Sequence, residues 1–317
     1  MCTAILLNSY VGRNLDIERS YGESVIITPR KYTISFRRSE NISDHPAFIG
    51  IGVISRGYPL YYDAANEHGL YIAGLNYVSN AKYHVPKVDR INLTPYELIP
   101  YLLSKCKSVK EARIELSKIN LINIPFSEDL SCAELHFFIA DKNEAITVEP
   151  NDEGIKVYDN QIGVLTNNPP FPLQLHNLNN YAGLTNKPLV NHYPNGIPFN
   201  EYSCGMGALG LPGDLSSESR FVRAAFHKIN HVGTGNVTDI FHLLSSVAMP
   251  NGSLDLGNSS YERTEYTSAV NLNTLTYYYR TYESSALCSA SLYNENSGSP
   301  LLISYPLISV SDIQSHN

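Results

Sequence analysis

Blocks of short apolar runs, then a pair of helical signals, then strands again predict an α+β fold of stacked layers. The helical signals come in pairs and do not follow every strand, which excludes alternating βαβ units. No internal repeat divides the 317 residues, and no linker is rich in Pro, Gly or Ser. A single domain over residues 1–317 is therefore expected.

The first strand is expected over residues 3–7, a turn at Asn8-Ser9-Tyr10 and a second strand over 11–17. Residues 24–28, 32–36, 47–54 and 69–77 read as further strands, each punctuated by Gly, Pro or polar residues. Thr94-Pro95-Tyr96-Glu97 combines an N-cap, a proline at the first helical position and a Glu three residues after the cap. Pro100 limits the length of that helix. Ser108-Val109-Lys110-Glu111 repeats the capping pattern before an amphipathic run to residue 119. Strands resume over 134–140, 145–149, 154–158 and 162–166. Helices are expected over 173–180, 219–229 and 237–247, and closing strands over 266–272, 275–282 and 301–310.

The chain is 43% hydrophobic, enough for a sizeable core. Lys and Arg total 23 against 30 Asp and Glu, a net charge of −7 that argues against a grip on nucleic-acid phosphates. There is no run of 18 apolar residues, and no basic segment followed by a hydrophobic one opens the sequence. No membrane association and a cytoplasmic location are expected. The five cysteines are odd in number and show no C-x-x-C, so neither a disulfide framework nor a zinc site is expected. Cys106, Cys132, Cys204 and Cys288 read as small buried hydrophobes.

Cys2 differs because of its position. Removal of Met1 would leave a residue carrying both a thiol and a free α-amine, whose ordinary pKa of about 8 suits it to take the thiol proton. A hairpin turning near Asn8-Ser9 sets Cys2 opposite Leu15, near Arg13 and Asp16. Arg13 would then favour the thiolate, and Asp16 could hold the α-amine. The plainer reading is a small residue at a strand end beside an ordinary ion pair. Among the histidines, His136 lies on an apolar strand and reads as structural. Asp214 in Leu211-Pro212-Gly213-Asp214 reads as turn and helix-cap chemistry.

Several strings occur in order: MCTAI, Gly12-Arg13-Asn14-Leu15-Asp16, Asn66-Glu67-His68-Gly69-Leu70, Ala73-Gly74-Leu75-Asn76, Leu165-Thr166-Asn167-Asn168-Pro169 and Ser219-Arg220-Phe221. Together they resemble the choloylglycine hydrolase family, which contains bile salt hydrolases and penicillin V acylases. The resemblance implies an N-terminal-nucleophile hydrolase fold, an αββα four-layer sandwich with two antiparallel sheets. It also implies a cofactor-free, metal-free amidase, commonly a homotetramer. By the same resemblance Cys2 is the nucleophile, and Arg13, Asp16, Asn76, Asn167 and Arg220 complete the catalytic set. The Asn167 side chain and the Asn76 backbone N–H correspond to the family's oxyanion hole.

The family position matching Asn76 tends to be Asn in bile salt hydrolases and Tyr in penicillin V acylases. A conjugated bile salt is therefore the expected substrate, cleaved through a thioester. Its steroid would face Leu15, Ser55, Phe126 and Leu130. A penicillin V or related N-acyl amidase is the alternative, and a catalytically silent binding protein on the same fold is a third reading.

Overall fold

The computed structural model describes every residue except 194, 195, 199, 311–314 and 317. Among these residues the strands, in chain order, are β1 (Cys2–Leu7), β2 (Tyr10–Ile17), β3 (Ser24–Thr28), β4 (Phe48–Ser55), β5 (Tyr58–Asn66) and β6 (Tyr71–Asn76). After the short β7 (Ile91–Leu93) come helices α1 (Leu98–Lys105) and α2 (Val109–Leu116), then β8 (Ile119–Leu121). Next are β9 (Leu135–Ala140), β10 (Ala145–Asn151), β11 (Gly154–Asp159) and β12 (Val164–Leu165), followed by α3 (Phe171–Asn177), α4 (Ser217–Ile229) and α5 (Val237–Ser245). The chain ends with β13 (Leu254–Gly257), β14 (Ser260–Asn271), β15 (Thr276–Thr281), β16 (Cys288–Ser291) and β17 (Ile303–Pro306).

One large antiparallel sheet runs β12-β1-β2-β14-β15-β16, with β13 paired to β14. The other runs β11-β10-β9-β6-β5-β4-β3-β17. Side-chain alternation along the second sheet divides two cores. Val25, Ile27, Ile49, Ile51, Ala73, Leu75 and Phe138 point into the layer shared with the first sheet. Ile26, Phe48, Ile72, Phe137, Ile139 and Val148 point the other way, onto α1 and α2. Helices α4 and α5 pack on the first sheet through Phe221, Ala224, Ile240 and Leu244. The layers are thus helix, sheet, sheet, helix. Strands covered on both faces read as nearly continuous apolar runs, the pattern of residues 24–28 and 47–54.

The first hairpin has the expected register, with Cys2 opposite Leu15 and Ala4 opposite Arg13. Residues 32–36 form no strand and make one bridge, Ile34 to Ile42. Their alternation reports burial and not pairing: Ile34 and Phe36 pack beneath α1, with the Phe36 ring edge-on to Tyr101 at 5.5 Å. Strand β5 carries Pro59 and Asp63, and both hide it from a reading by strand propensity. Pro100 is accommodated in the first turn of α1, where its missing N–H is one that has no helical partner. Of the four cysteines expected to be buried only Cys106 is; Cys204 is exposed, and Cys132 and Cys288 are half-buried. They sit in polar loops and an edge strand, where a small apolar residue has no core to enter.

Candidate active site

Cys2 begins β1, and its side chain enters the space between the sheets, 2% exposed. Arg13, from the neighbouring strand, donates from Nη2 to Cys2 Sγ at 2.7 Å. Its Nη1 donates to the carbonyls of Tyr62 and Gly74, each at 2.9 Å. A β-bulge makes the first of these contacts available. The pairing of β4 with β5 slips between Ile51 and Gly52, so that Tyr62 is an extra residue whose carbonyl leaves the ladder. Gly50 permits the close approach, since a Cβ there would stand 2.0 Å from the Asp63 carbonyl oxygen.

Arg220 reaches Cys2 from the other side. It lies in the first turns of α4, whose N-cap Ser216 accepts from the Ser219 N–H at 3.3 Å. Its Nη1 donates to the Cys2 carbonyl at 2.6 Å and to Thr3 Oγ1 at 2.7 Å, and its Nη2 donates to Asn167 Oδ1 at 2.8 Å. Burying two guanidinium groups completely costs several kcal/mol apiece unless countercharges lie close. For Arg220 the nearest carboxylate is Asp16, 3.8 Å away. Burial pulls the Arg220 pKa below its ordinary value, with Asp16 and Cys2 opposing. Burial also works against Arg13, but Cys2, Tyr266 and Asp63 together outweigh it and lift the pKa.

Asn167 connects the remaining pieces. Its Oδ1 accepts from the Cys2 N–H at 2.8 Å, and its Nδ2 donates to the Asn76 carbonyl at 2.7 Å, leaving one Nδ2 hydrogen over. Its own N–H donates to Ser217 Oγ at 2.7 Å, so α4 fixes its backbone. The Tyr77 N–H bonds the Glu134 carbonyl while the Leu135 N–H goes to the Tyr83 hydroxyl. Antiparallel alternation therefore turns the Asn76 N–H away from β9. His136 is buried and stacked on Tyr77 at 4.4 Å, with Nε2 2.9 Å from the Thr166 carbonyl and Nδ1 3.4 Å from Glu149. These contacts make it a brace for the segment carrying Asn167.

Cys2, Arg13, Asp16, Asn76, Asn167 and Arg220 thus fall in one cluster although they span residues 2–220. With Met1 present Cys2 carries no free α-amine for Asp16 to meet. The Asp16 side chain accepts from Thr264 Oγ1 at 2.6 Å, and its Oδ2 is buried without a hydrogen bond. The Met1 ammonium is held by the Asp16 carbonyl oxygen at 2.5 Å and by the Glu262 carboxylate. Burial lowers the pKa of that amine, with Cys2 and Asp16 opposing. Glu262 lies on β14 outside every motif, so no sequence signal marked it.

A cavity of about 360 Å³ opens from Cys2, Arg13, Gly74 and Asn76. Its walls include Leu15, Ile17, Val53, Leu60, Phe126 and Leu130, with Glu18 and Tyr21 also lining it. The aromatic wall is braced by Phe126 against Tyr96 and Tyr58, at centroid distances of 5.4 and 5.8 Å. Ser55 does not line this space. It shares a strand face with Val53 but sits one step further out, beside the Arg56-Gly57 turn. Among the described residues no group of three or more His, Cys, Asp or Glu could hold a metal ion, and no helix is long and apolar enough to cross a membrane.

Residues 2–305 match the family model of linear amide C–N hydrolases, choloylglycine hydrolase family. A bile salt hydrolase/transferase of Lactiplantibacillus plantarum is 50% identical over 314 residues, covering 97% of each chain. A conjugated bile acid hydrolase of Lactobacillus gasseri is 39% identical, over 96% of this chain and 100% of that one. Among solved structures, a mutant conjugated bile acid hydrolase from Clostridium perfringens superposes over the whole of both chains with a TM-score of 0.94 at 32% identity. Penicillin V acylase from Agrobacterium tumefaciens shares the fold, with a TM-score of 0.75 at 17% identity over 96% of this chain and 90% of that one.

Proposed function

The chain belongs to the choloylglycine hydrolase family of linear amide C–N hydrolases, and from that premise we propose that it cleaves conjugated bile salts with Cys2 as nucleophile. The observation that carries the nucleophile is the 2.7 Å contact from Arg13 Nη2 to Cys2 Sγ, made at the second residue of the chain. A charged donor at that distance stabilises negative charge on sulfur. Excision of Met1 turns the Cys2 amide nitrogen into an amine that can take the thiol proton.

The thiolate attacks the amide carbonyl, and charge gathers on the carbonyl oxygen. The spare Nδ2 hydrogen of Asn167 and the Asn76 N–H are the donors suited to receive it. The α-ammonium returns its proton to the leaving nitrogen as the C–N bond breaks, giving a thioester and a free amine. Water then attacks the thioester, and the thiol is regenerated. Arg220 holds the Cys2 carbonyl and Asn167 Oδ1 together, so nucleophile and oxyanion donor keep a fixed separation. Asp16 supplies negative charge close to the α-amine.

The substrate reading rests on the cavity and on the relatives. Leu15, Ile17, Val53, Leu60, Phe126 and Leu130 form an apolar surface next to Cys2, suited to a rigid hydrocarbon face. The 50% identical relative is named for bile salts. The test is incubation of Met1-free protein, verified by mass, with glycine- and taurine-conjugated bile salts and with penicillin V. Release of glycine or taurine is the expected result. Phenoxyacetate without amino-acid release would favour the acylase reading, and no product from either substrate would favour a binding protein.

A further inference from the structure

Asp63 is a carboxylate with no solvent exposure, held between the two sheets, and none of the steps above uses it. Two tyrosines of the opposite sheet reach across to it. The Tyr277 hydroxyl donates to Asp63 Oδ2 at 2.5 Å, and the Tyr266 hydroxyl lies 3.4 Å from Oδ1. Ser268 Oγ shares the Tyr277 hydroxyl at 3.0 Å. All three tyrosines facing it, Tyr71, Tyr266 and Tyr277, are themselves fully buried.

The position of Asp63 relative to Arg13 follows from the strands. Arg13 Nη1 is bound by the carbonyls of Tyr62 and Gly74. Tyr62 precedes Asp63 in β5, and Gly74 follows Ala73, the residue paired with Asp63 across the ladder. Among the described residues the Arg13 side chain donates to two carbonyls and to the Cys2 sulfur, and its Nε is buried without a hydrogen bond. Its charge therefore has two sources of compensation nearby, the Cys2 sulfur and Asp63. Burial lifts the Asp63 pKa, and Arg13 and Tyr277 oppose that shift.

Resting on the reading of Cys2 as nucleophile, we infer that Asp63 is a positioning residue acting through Arg13: its fixed negative charge sets how much of the guanidinium's field reaches the Cys2 sulfur. With Asp63 charged, Arg13 is partly neutralised and the thiolate stays reactive. Without it, Arg13 holds the thiolate more tightly, and a more stabilised thiolate is a weaker nucleophile. The tyrosine hydroxyls favour the charged form of the carboxylate, so loss of one donor favours the neutral acid and leaves Arg13 less neutralised. The groups facing Asp63 are Arg13 from β2, Tyr71 from β6, Tyr266 from β14 and Tyr277 from β15, with Cys2 beyond Arg13.

The experiment is the pH dependence of iodoacetamide alkylation at Cys2, read by peptide mass in Met1-free protein without substrate. Asp63→Asn should move the midpoint down by about one pH unit, as expected for removing a neighbouring like charge. Its limiting rate should fall about threefold from the lower nucleophilicity. Tyr277→Phe, which removes one donor that favours the charged carboxylate, should move the midpoint in the same direction as Asp63→Asn but by less, about 0.3 unit down. If Asp63→Asn does not fold, the sign of the Tyr277→Phe shift decides. A folded Asp63→Asn with a lower melting temperature and an unchanged profile would mean that Asp63 only supports the core. Wild-type Cys2 that reacts no faster at neutral pH than buried Cys106 would overturn the nucleophile assignment first, and this inference with it.

Discussion

Asn167 concentrates most of the site's geometry in one amide. Its oxygen is committed to the Cys2 N–H and Arg220, and one hydrogen of its nitrogen is committed to Asn76. Only the second Nδ2 hydrogen is uncommitted, and it is the one that the proposed mechanism gives to the oxyanion. Asn167→Ala should lower kcat and kcat/KM together by about 10²–10³, with little change in KM, because the charge it meets exists only in the transition state. A melting-temperature loss with normal kcat would make it a purely structural amide. At this scale the sequence was informative where neighbours are local: the hairpin set Cys2 against Leu15 with Arg13 close by. Asn76, Asn167 and Arg220 are tens to hundreds of residues from Cys2 and could be collected only by resemblance. Asp63 and Glu262 carried no signal, since one acidic residue in a strand does not reveal that its strand crosses a buried cation.

Helix α4 shows how an element aims a residue. Asp214 accepts from the Ser216 N–H at 2.9 Å and from Ser219 Oγ at 2.5 Å, ordering the entry that places Arg220 on Cys2. Those bonds, led by Ser216, pull the Asp214 pKa from 3.8 to about 2. The folded value lies below the unfolded one, so the stabilisation is complete above the unfolded pKa and is lost as pH falls through the folded one. Asp214→Asn should lower the melting temperature by a constant amount at neutral and mildly acidic pH. The gap should narrow as pH falls from about 4 towards 2. A gap of constant size down to pH 2 would contradict a charged capping role. Two of the bulges are elements of the same kind. Tyr62 is the extra residue of β5 and Glu265 that of β14, where the pairing slips between Thr264 and Tyr266. Both lie beside the site, and both escape a period-two reading because one extra residue breaks the alternation. The capped helices, with their local hydrogen bonds, were legible; β5 and the strandless residues 32–36 were not, because strand pairing is decided by partners that a period-two pattern does not reveal.

For the molecule as a whole, the two sheets close on a set of charges that neither could hold alone. The first contributes Cys2, Arg13 and Asp16, the second contributes Asp63, Gly74 and Asn76, and α4 supplies Arg220. The layer order places Cys2 between the two sheets. Met1 is seated there too, its ammonium between the Asp16 carbonyl and Glu262, and its sulfur against Arg220. With Met1 present the Cys2 nitrogen is an amide that donates to Asn167 and has no lone pair to act as a base. The most direct test of the account is the turnover of two preparations, Met1-retained and Met1-free, each verified by intact mass and matched in melting behaviour. The account predicts amide hydrolysis by the Met1-free protein and none above background by the retained form. Equal turnover by both would mean that the free α-amine of Cys2 is not the base.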